Sequence, residues 1–431
     1  SHGIEYAGSS LQPTTRYQWK LTVWDNTGKP ITSSSWFETG LMNPSIAAWS
    51  GANWIGGGDD DMVLYSHYLS VFKFEYGLQL DKTSSSTKAS FVFGANDRRL
   101  MTKDLNLMGV TKGKNESYVA LELDISNVSD AADGLAKLNI YRVGYTKDDK
   151  EDVPLKSFDI PQSLINAANK YEKHQLLVEC NFGLFEFYVD GNKDANKLKD
   201  KAAPAGGGGR FGARGYNLNP VGSGNNYISF PMLSDIGFRV PNGQKAFFSG
   251  VTVRNYRYPS NPIFTENLQK QPYSGIFSAS NVKIENGSYA VSGGLVTADP
   301  SRNAAPMLRT TFTTQSKPIA KARLYVTARG IYELFLNGSR VSNDYFNPGL
   351  TQYNKTHMYQ TYDVTSGIKS GKKNAIGAWL SEGWWSGNIT FSGENWNFFG
   401  DRQSLLSKLV ITYADGSEQV VTSNPTEWKF F

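Results

Sequence analysis

The chain has 431 residues, 39% hydrophobic and 19% charged, with 42 glycines and a formal net charge of +5. At about 100–200 residues per domain this length holds several cores, and no apolar run approaches the roughly 18–20 residues that a membrane-spanning helix needs. The 44 basic and 39 acidic residues are interspersed, with no basic block, which argues against a nucleic-acid partner as well as a membrane span.

From the start of the chain, apolar and polar residues alternate with period two, as in 17–24 (YQWKLTVW). That pattern predicts half-buried antiparallel strands. Further strands are predicted at 89–93, 118–125, 138–143, 174–180, 183–189, 246–253 and 322–326. One helix of about two turns is expected over 161–170, with Pro161 in its first turn. Ten Trp, 23 Tyr and 24 Phe suit sheet packing. The fold class is therefore all-β, in several β-sandwiches.

Tryptophan divides the chain. Trp19, Trp24, Trp36, Trp49 and Trp54 open it, Trp379, Trp384, Trp385, Trp396 and Trp428 close it, and none lies between. Residues 1–56 hold fewer strands than the ~7 of a closed sandwich, so they are expected to be part of a domain. Residues 57–257 are expected to form a jelly-roll-like sandwich, 258–305 a bridging segment, and 306–431 a third β-unit. Both ends read as the inside of a β-domain, so both are expected to be cuts.

Little of the obvious chemistry is supported. Cys180 is the single cysteine, which excludes an intrachain disulfide and a thiolate metal pair. His2, His67, His174 and His357 are far apart and show no metal-ligand spacing. Glycines 206–209 lack the Lys-Ser/Thr of a phosphate loop and are expected to be a flexible loop. The run 190–196 (DGNKDAN) places oxygen ligands as a calcium loop does, but Ala195 replaces the turn glycine and Lys201 the final glutamate, so a hairpin turn is the stronger reading. The acidic run 59–61 reads as a solvated loop.

Two sets remain as candidates. Asn96 and Asp97, ahead of Arg98 and Arg99, put oxygen ligands at a loop mouth, where calcium or sugar hydroxyls would use them; the competing reading is a surface turn. Trp384, Trp385 and Trp396, among amides, would give a flat aromatic face for a sugar ring; the competing reading is core packing. No general acid or base can be nominated from spacing.

Residues 306–431 carry, in order, PMLRTTF (306–312), ARLYVTARGIYE (322–333), LNGSRV (336–341), NPGLTQY (347–353), YQTYDVT (359–365), NAIG (374–377) and GWWSG (383–387). Together these stretches resemble the N-terminal β-domain of bacterial α-L-rhamnosidases. On the same resemblance, 1–56 is the second half of a fibronectin type III-like domain, with a tyrosine-corner strand at 11–19 and a last strand at 36–41. The middle block is a lectin-like (concanavalin-like) sandwich, which in certain relatives binds rhamnose through calcium. Asn96 and Asp97 fall where such sugar and metal ligands would sit, although the block has no Trp for stacking.

The resemblance implies a parent that hydrolyses terminal α-L-rhamnosides with inversion, using two Glu on an (α/α) barrel beyond residue 431. This chain would then be inactive alone, with rhamnose-containing glycans and the barrel as partners and calcium as the candidate cofactor. A periplasmic or extracellular location would suit a polysaccharide degrader. The alternative reading is a stand-alone carbohydrate-binding protein.

Overall fold

A computed structural model of the chain describes residues 5–56, 66–102, 111–199, 215–220, 231–256, 260, 262–269, 275–301, 304–387 and 397–430. Two compact units emerge: Ser1–Gly57 with Pro306–Ser386 and Phe399–Phe431, and Gly58–Ala305 with Gly387–Phe398. Among the described residues no helix is long and apolar enough to cross a membrane.

The first unit opens with a hairpin of β1 (Arg16–Trp24) and β2 (Pro30–Glu38), paired from Arg16–Glu38 to Trp24–Pro30. Its turn is held by Asp25, whose Oδ1 accepts from Thr27 N, Thr27 Oγ1 and Lys29 N. The hydrogen bond from the Thr27 side chain and those from the backbone lower the Asp25 pKa. The expected tyrosine corner forms, with Gln12 N donating to Tyr17 Oη at 2.7 Å. Trp19, Trp24 and Trp36 remain 43%, 67% and 54% exposed, and a two-stranded ribbon is at best marginally stable alone. The hairpin is anchored at its base, where Glu38 meets Arg323 and Leu41 N donates to Tyr359 Oη at 2.7 Å. Trp49 then packs edge-on against Tyr359, and β3 (Ile55–Gly56) follows.

In the second unit the strands are β4 (Val71–Leu80), β5 (Lys88–Ala95), β6 (Tyr118–Asp124), β7 (Ala136–Val143), β8 (Lys156–Ile160), β9 (His174–Asn181), β10 (Leu184–Val189), β11 (Tyr216–Asn217), β12 (Asp235–Asn255), β13 (Pro262–Thr265), β14 (Val282–Glu285) and β15 (Ser288–Ala298). They run in the order β11-β10-β9-β4-β12-β5-β6-β7-β8. The long β12 pairs with β5 and β15 near its start and with β4 and β13 near its end, changing register along the way. Residues 258–305 are therefore no bridge: they give this sheet β13, β14 and β15.

Alternation on β4 buries Phe72, Phe74, Tyr76, Leu78 and Leu80. Phe74 and Tyr76 stack on Phe91 of β5, at 4.9 Å and 4.3 Å between ring centres, and Phe72 meets Phe93 edge-on. β5 is buried on both faces, because Val92 and Ala95 join a second small cluster with Tyr118, Ala120 and Tyr141. Cys180 lies in the main core, where burial pushes its thiol pKa up and removes it as a nucleophile.

The helix expected over 161–170 does not form. Ile165 N bonds Pro161 O, but the Asn166 carboxamide accepts from Ala168 N and Asn169 N while Asn169 Nδ2 donates to Leu164 O. These side chains satisfy the backbone in two separate turns.

Asp190, first residue of the calcium-loop pattern, is engaged elsewhere: its Oδ1 accepts from Gln175 N and its Oδ2 sits 2.8 Å from His174 Nδ1. The other ring nitrogen lies 3.0 Å from Asn169 O, so both face acceptors and the doubly protonated ring is favoured. Burial works against that charge, but the hydrogen bond and charge of Asp190 outweigh it and the pKa is raised above 6.5. A folded pKa above the unfolded one stabilises below about pH 6.5, and the gain is lost as pH rises through the raised value. The second unit is thus expected to weaken in urea titrations from pH 6 to pH 9, and H174Q should flatten that slope; an unchanged slope would refute the assignment.

The first unit is completed by β16 (Met307–Thr313), β17 (Ile319–Arg329), β18 (Ile331–Leu336), β19 (Ser339–Arg340), β20 (Gln360–Asp363), β21 (Lys373–Ser381), β22 (Ser404–Tyr413), β23 (Glu418–Thr422) and β24 (Lys429–Phe430). Two sheets form, β19-β18-β21-β16-β24 and β20-β17-β22-β23, with β3 added to β22. Between them lie Leu324, Val326, Leu334, Ile376, Leu409, Ile411 and Trp428. At the β18–β19 turn Asn337 and Gly338 both take positive φ (51° and 87°), as a two-residue hairpin requires.

Candidate functional site

Asn96 directly follows β5 with φ of 56°, a left-handed conformation that Asn tolerates better than most residues. Its Nδ2 donates to Asp235 Oδ2 (2.8 Å) and Thr297 Oγ1 (3.2 Å), and its Oδ1 accepts from Asn115 N (2.6 Å). Thr297 Oγ1 in turn donates to Asn115 Oδ1 at 2.8 Å. Asp235 opens β12, and its Oδ1 lies 3.3 Å from His67 Nε2, with Asp299 Oδ2 at 4.0 Å from the same nitrogen. Ser66 Oγ and the amide and hydroxyl of Ser301 donate to Asp299 Oδ1.

One ligand atom from each of His67, Asp235 and Asp299 therefore lies within 4.8 Å of the others. Their sequence separations gave no hint of this, because β12 and the end of β15 bring them together.

Asp97 has a different part. Arg99 donates to it from its backbone N and Nε, both to Oδ1 at 2.9 Å, and from Nη2 to Oδ2. Asp97 thus caps the single helical turn Arg98–Met101 and neutralises a buried guanidinium. Calcium wants six to eight oxygens. In this arrangement the Asn96–Asp97 pair does not fit it: the amide oxygen is held by Asn115 and the carboxylate by Arg99. The His67–Asp235–Asp299 set, with one nitrogen and two carboxylates, suits a transition ion better than calcium.

The aromatic candidates separate. Trp396 lies outside the described residues, as do the runs 59–61 and 206–209. Trp384 sits 6.0 Å from Phe346, which is exposed. Trp385 is half-buried between Tyr353 (5.7 Å), His357 (5.7 Å) and Phe399 (6.5 Å), with the Arg329 guanidinium 5.3 Å from its ring. Among the described residues the adjacent tryptophans in this turn face different surroundings. Beside them, burial pushes Glu382 up to about 7. Among the described residues no neighbouring charge contributes to that shift.

Glycosidases need paired carboxyl groups about 5–5.5 Å apart for retention or 6.5–9.5 Å for inversion. Asp235 and Asp299 offer oxygens within 4.8 Å of each other, with His67 and hydroxyl donors engaging them. Such a cluster presents acceptor oxygens to a cation or to hydroxyl donors.

Residues 317–430 match the α-L-rhamnosidase N-terminal domain, and residues 1–43 the Rha78A-like N-terminal immunoglobulin domain. Residues 317–430 are thus similar to the N-terminal domain of α-L-rhamnosidases. An α-L-rhamnosidase of Streptomyces avermitilis is 28% identical over 428 residues, 99% of this chain and 34% of the relative. One from Alteromonas sp. (strain LOR) is 42% identical over 123 residues, 28% of this chain and 13% of the relative. The crystal structure of the Streptomyces avermitilis α-L-rhamnosidase complexed with L-rhamnose aligns over 99% of this chain and 34% of that one, at 23% identity and a TM-score of 0.43. This chain therefore spans about a third of the length of the Streptomyces rhamnosidase.

Proposed function

We propose that this chain is the non-catalytic N-terminal part of an α-L-rhamnosidase, bracing an (α/α) barrel that carries the inverting acid and base and holding rhamnose-containing glycan near it. The observation that carries the reading is the match of nearly the whole chain to a third of the Streptomyces rhamnosidase. Glycan is held at the corner of Asn96, His67, Asp235 and Asp299, whose carboxylates accept from sugar hydroxyls. Tethering substrate beside a barrel raises its effective concentration without any chemistry.

The test is hydrolysis of p-nitrophenyl α-L-rhamnoside. The 431-residue chain is expected to release no nitrophenol, and a chain extended through the barrel to release it with inverted rhamnose. Release by the shorter chain would sink the proposal. Calorimetric titration of L-rhamnose, with calcium and with chelator, tests the binding part; heat that survives both D235N and D299N would move the sugar elsewhere.

A further inference from the structure

The first unit contains a second site of different character. A groove of about 650 Å³ is lined by Trp49, Trp54, Arg329, Lys355, His357 and Tyr359, among others, and none of its lining residues is an aspartate or glutamate. Arg329 ends β17 with its guanidinium carbon 4.6 Å from the Trp54 ring and 5.3 Å from that of Trp385. The half-buried side chain has no carboxylate or carbonyl partner among the described residues, and its Nε is buried without an acceptor.

This sets Arg329 apart from the other well-buried arginines. Arg99 pairs with Asp97, Arg142 with Asp149, and Arg323 with Glu38 and Asp363. A partly desolvated guanidinium is costly without an anion, and aromatic faces on both sides offset only part of that cost. His357 does not supply the anion: burial and the Arg329 charge lower its pKa, and its Nδ1 is also buried without a partner.

We propose that this groove binds an acidic pyranose, a uronate residue of a polysaccharide, with Arg329 pairing the carboxylate and Trp54 and Tyr359 lining the apolar side of the ring. A planar guanidinium fork matches a carboxylate in a bidentate pair. Flat aromatic walls suit the C–H face of a sugar, and Lys355 adds a second positive charge at the groove. The site shares no residue with the Asn96 corner, so it goes beyond the reading above and is tested independently of it.

The experiment titrates the 431-residue chain with trigalacturonate at low ionic strength, by calorimetry and tryptophan fluorescence, beside the same trimer with its carboxyl groups reduced to alcohols. Saturable binding is expected, at least tenfold weaker for the reduced trimer and at least tenfold weaker for R329Q, with R329K in between. Equal affinity for the two trimers, or no binding at millimolar trimer, overturns the proposal without reliance on any variant. Retention of full affinity by folded R329Q overturns it as well.

Discussion

Replacing Glu38 by alanine is expected to destabilise the first unit by about 3–5 kcal/mol, the range for breaking one partner out of a buried ion pair. Glu38 receives two parallel hydrogen bonds from Arg323, Nε to Oε1 at 3.0 Å and Nη2 to Oε2 at 2.8 Å. Lys321 Nζ stands 3.6 Å from Oε1, and Arg16 Nη2 3.8 Å from Oε2. Arg323 is only 5% exposed, so truncating Glu38 strands a buried cation. Asp363, 2.9 Å from Arg323 Nη1 but largely exposed, is a weak substitute.

The same change uncouples β2 from β17, and the β1–β2 hairpin has little other support. Urea unfolding read by tryptophan fluorescence is the measurement. Nine of the ten tryptophans belong to this unit, so its transition is reported almost alone. E38Q, which keeps some hydrogen bonding, should cost less. A loss below about 1 kcal/mol, the scale of an exposed pair, would show that the hairpin hangs mainly on Leu41 and Trp49.

Phe238→Ala is expected to cost the second unit about 3–5 kcal/mol, the usual range for emptying a buried aromatic site. Phe238 is fully buried, with ring centres 4.1 Å from Phe248, 4.5 Å from Phe277, 5.6 Å from Tyr289 and 6.0 Å from Phe91. It lies on β12, which pairs with β4, β5, β13 and β15, so the cavity would open between β5 and β15, which flank it at this position. Near-UV dichroism from tyrosine should show the loss while the tryptophan transition stays in place. A variant that shifts both transitions equally would mean that the two units unfold as one. Phe238→Leu, which keeps most of the volume, should lose less than half as much.

The expectations that held share a physical basis in short range. Period-two alternation marks strands because successive side chains point to opposite faces, and it located β1 and β10 well. Asn337-Gly338 fixed a hairpin turn because both residues accept positive φ. The tyrosine corner needs only Tyr17 and a backbone amide five residues back. The helix expected over 161–170 failed on the same scale, since Asn166 and Asn169 bond the backbone more readily than a helix would.

What the sequence by itself determined was the all-β class, the strands, the local turns and the family resemblance of the last 120 or so residues, all of which are written in neighbouring residues or in their order. Only the tertiary structure decided that 262–298 joins the middle sheet, that Asp97 caps a turn and is consumed by Arg99, and that His67, Asp235 and Asp299 converge. It also decided that Arg329 lies between two tryptophans from distant stretches, with no anionic partner among the described residues. The reason is that pairing, burial and charge neutralisation depend on which strands become neighbours, and sequence order does not encode the distance between side chains that a sheet brings together.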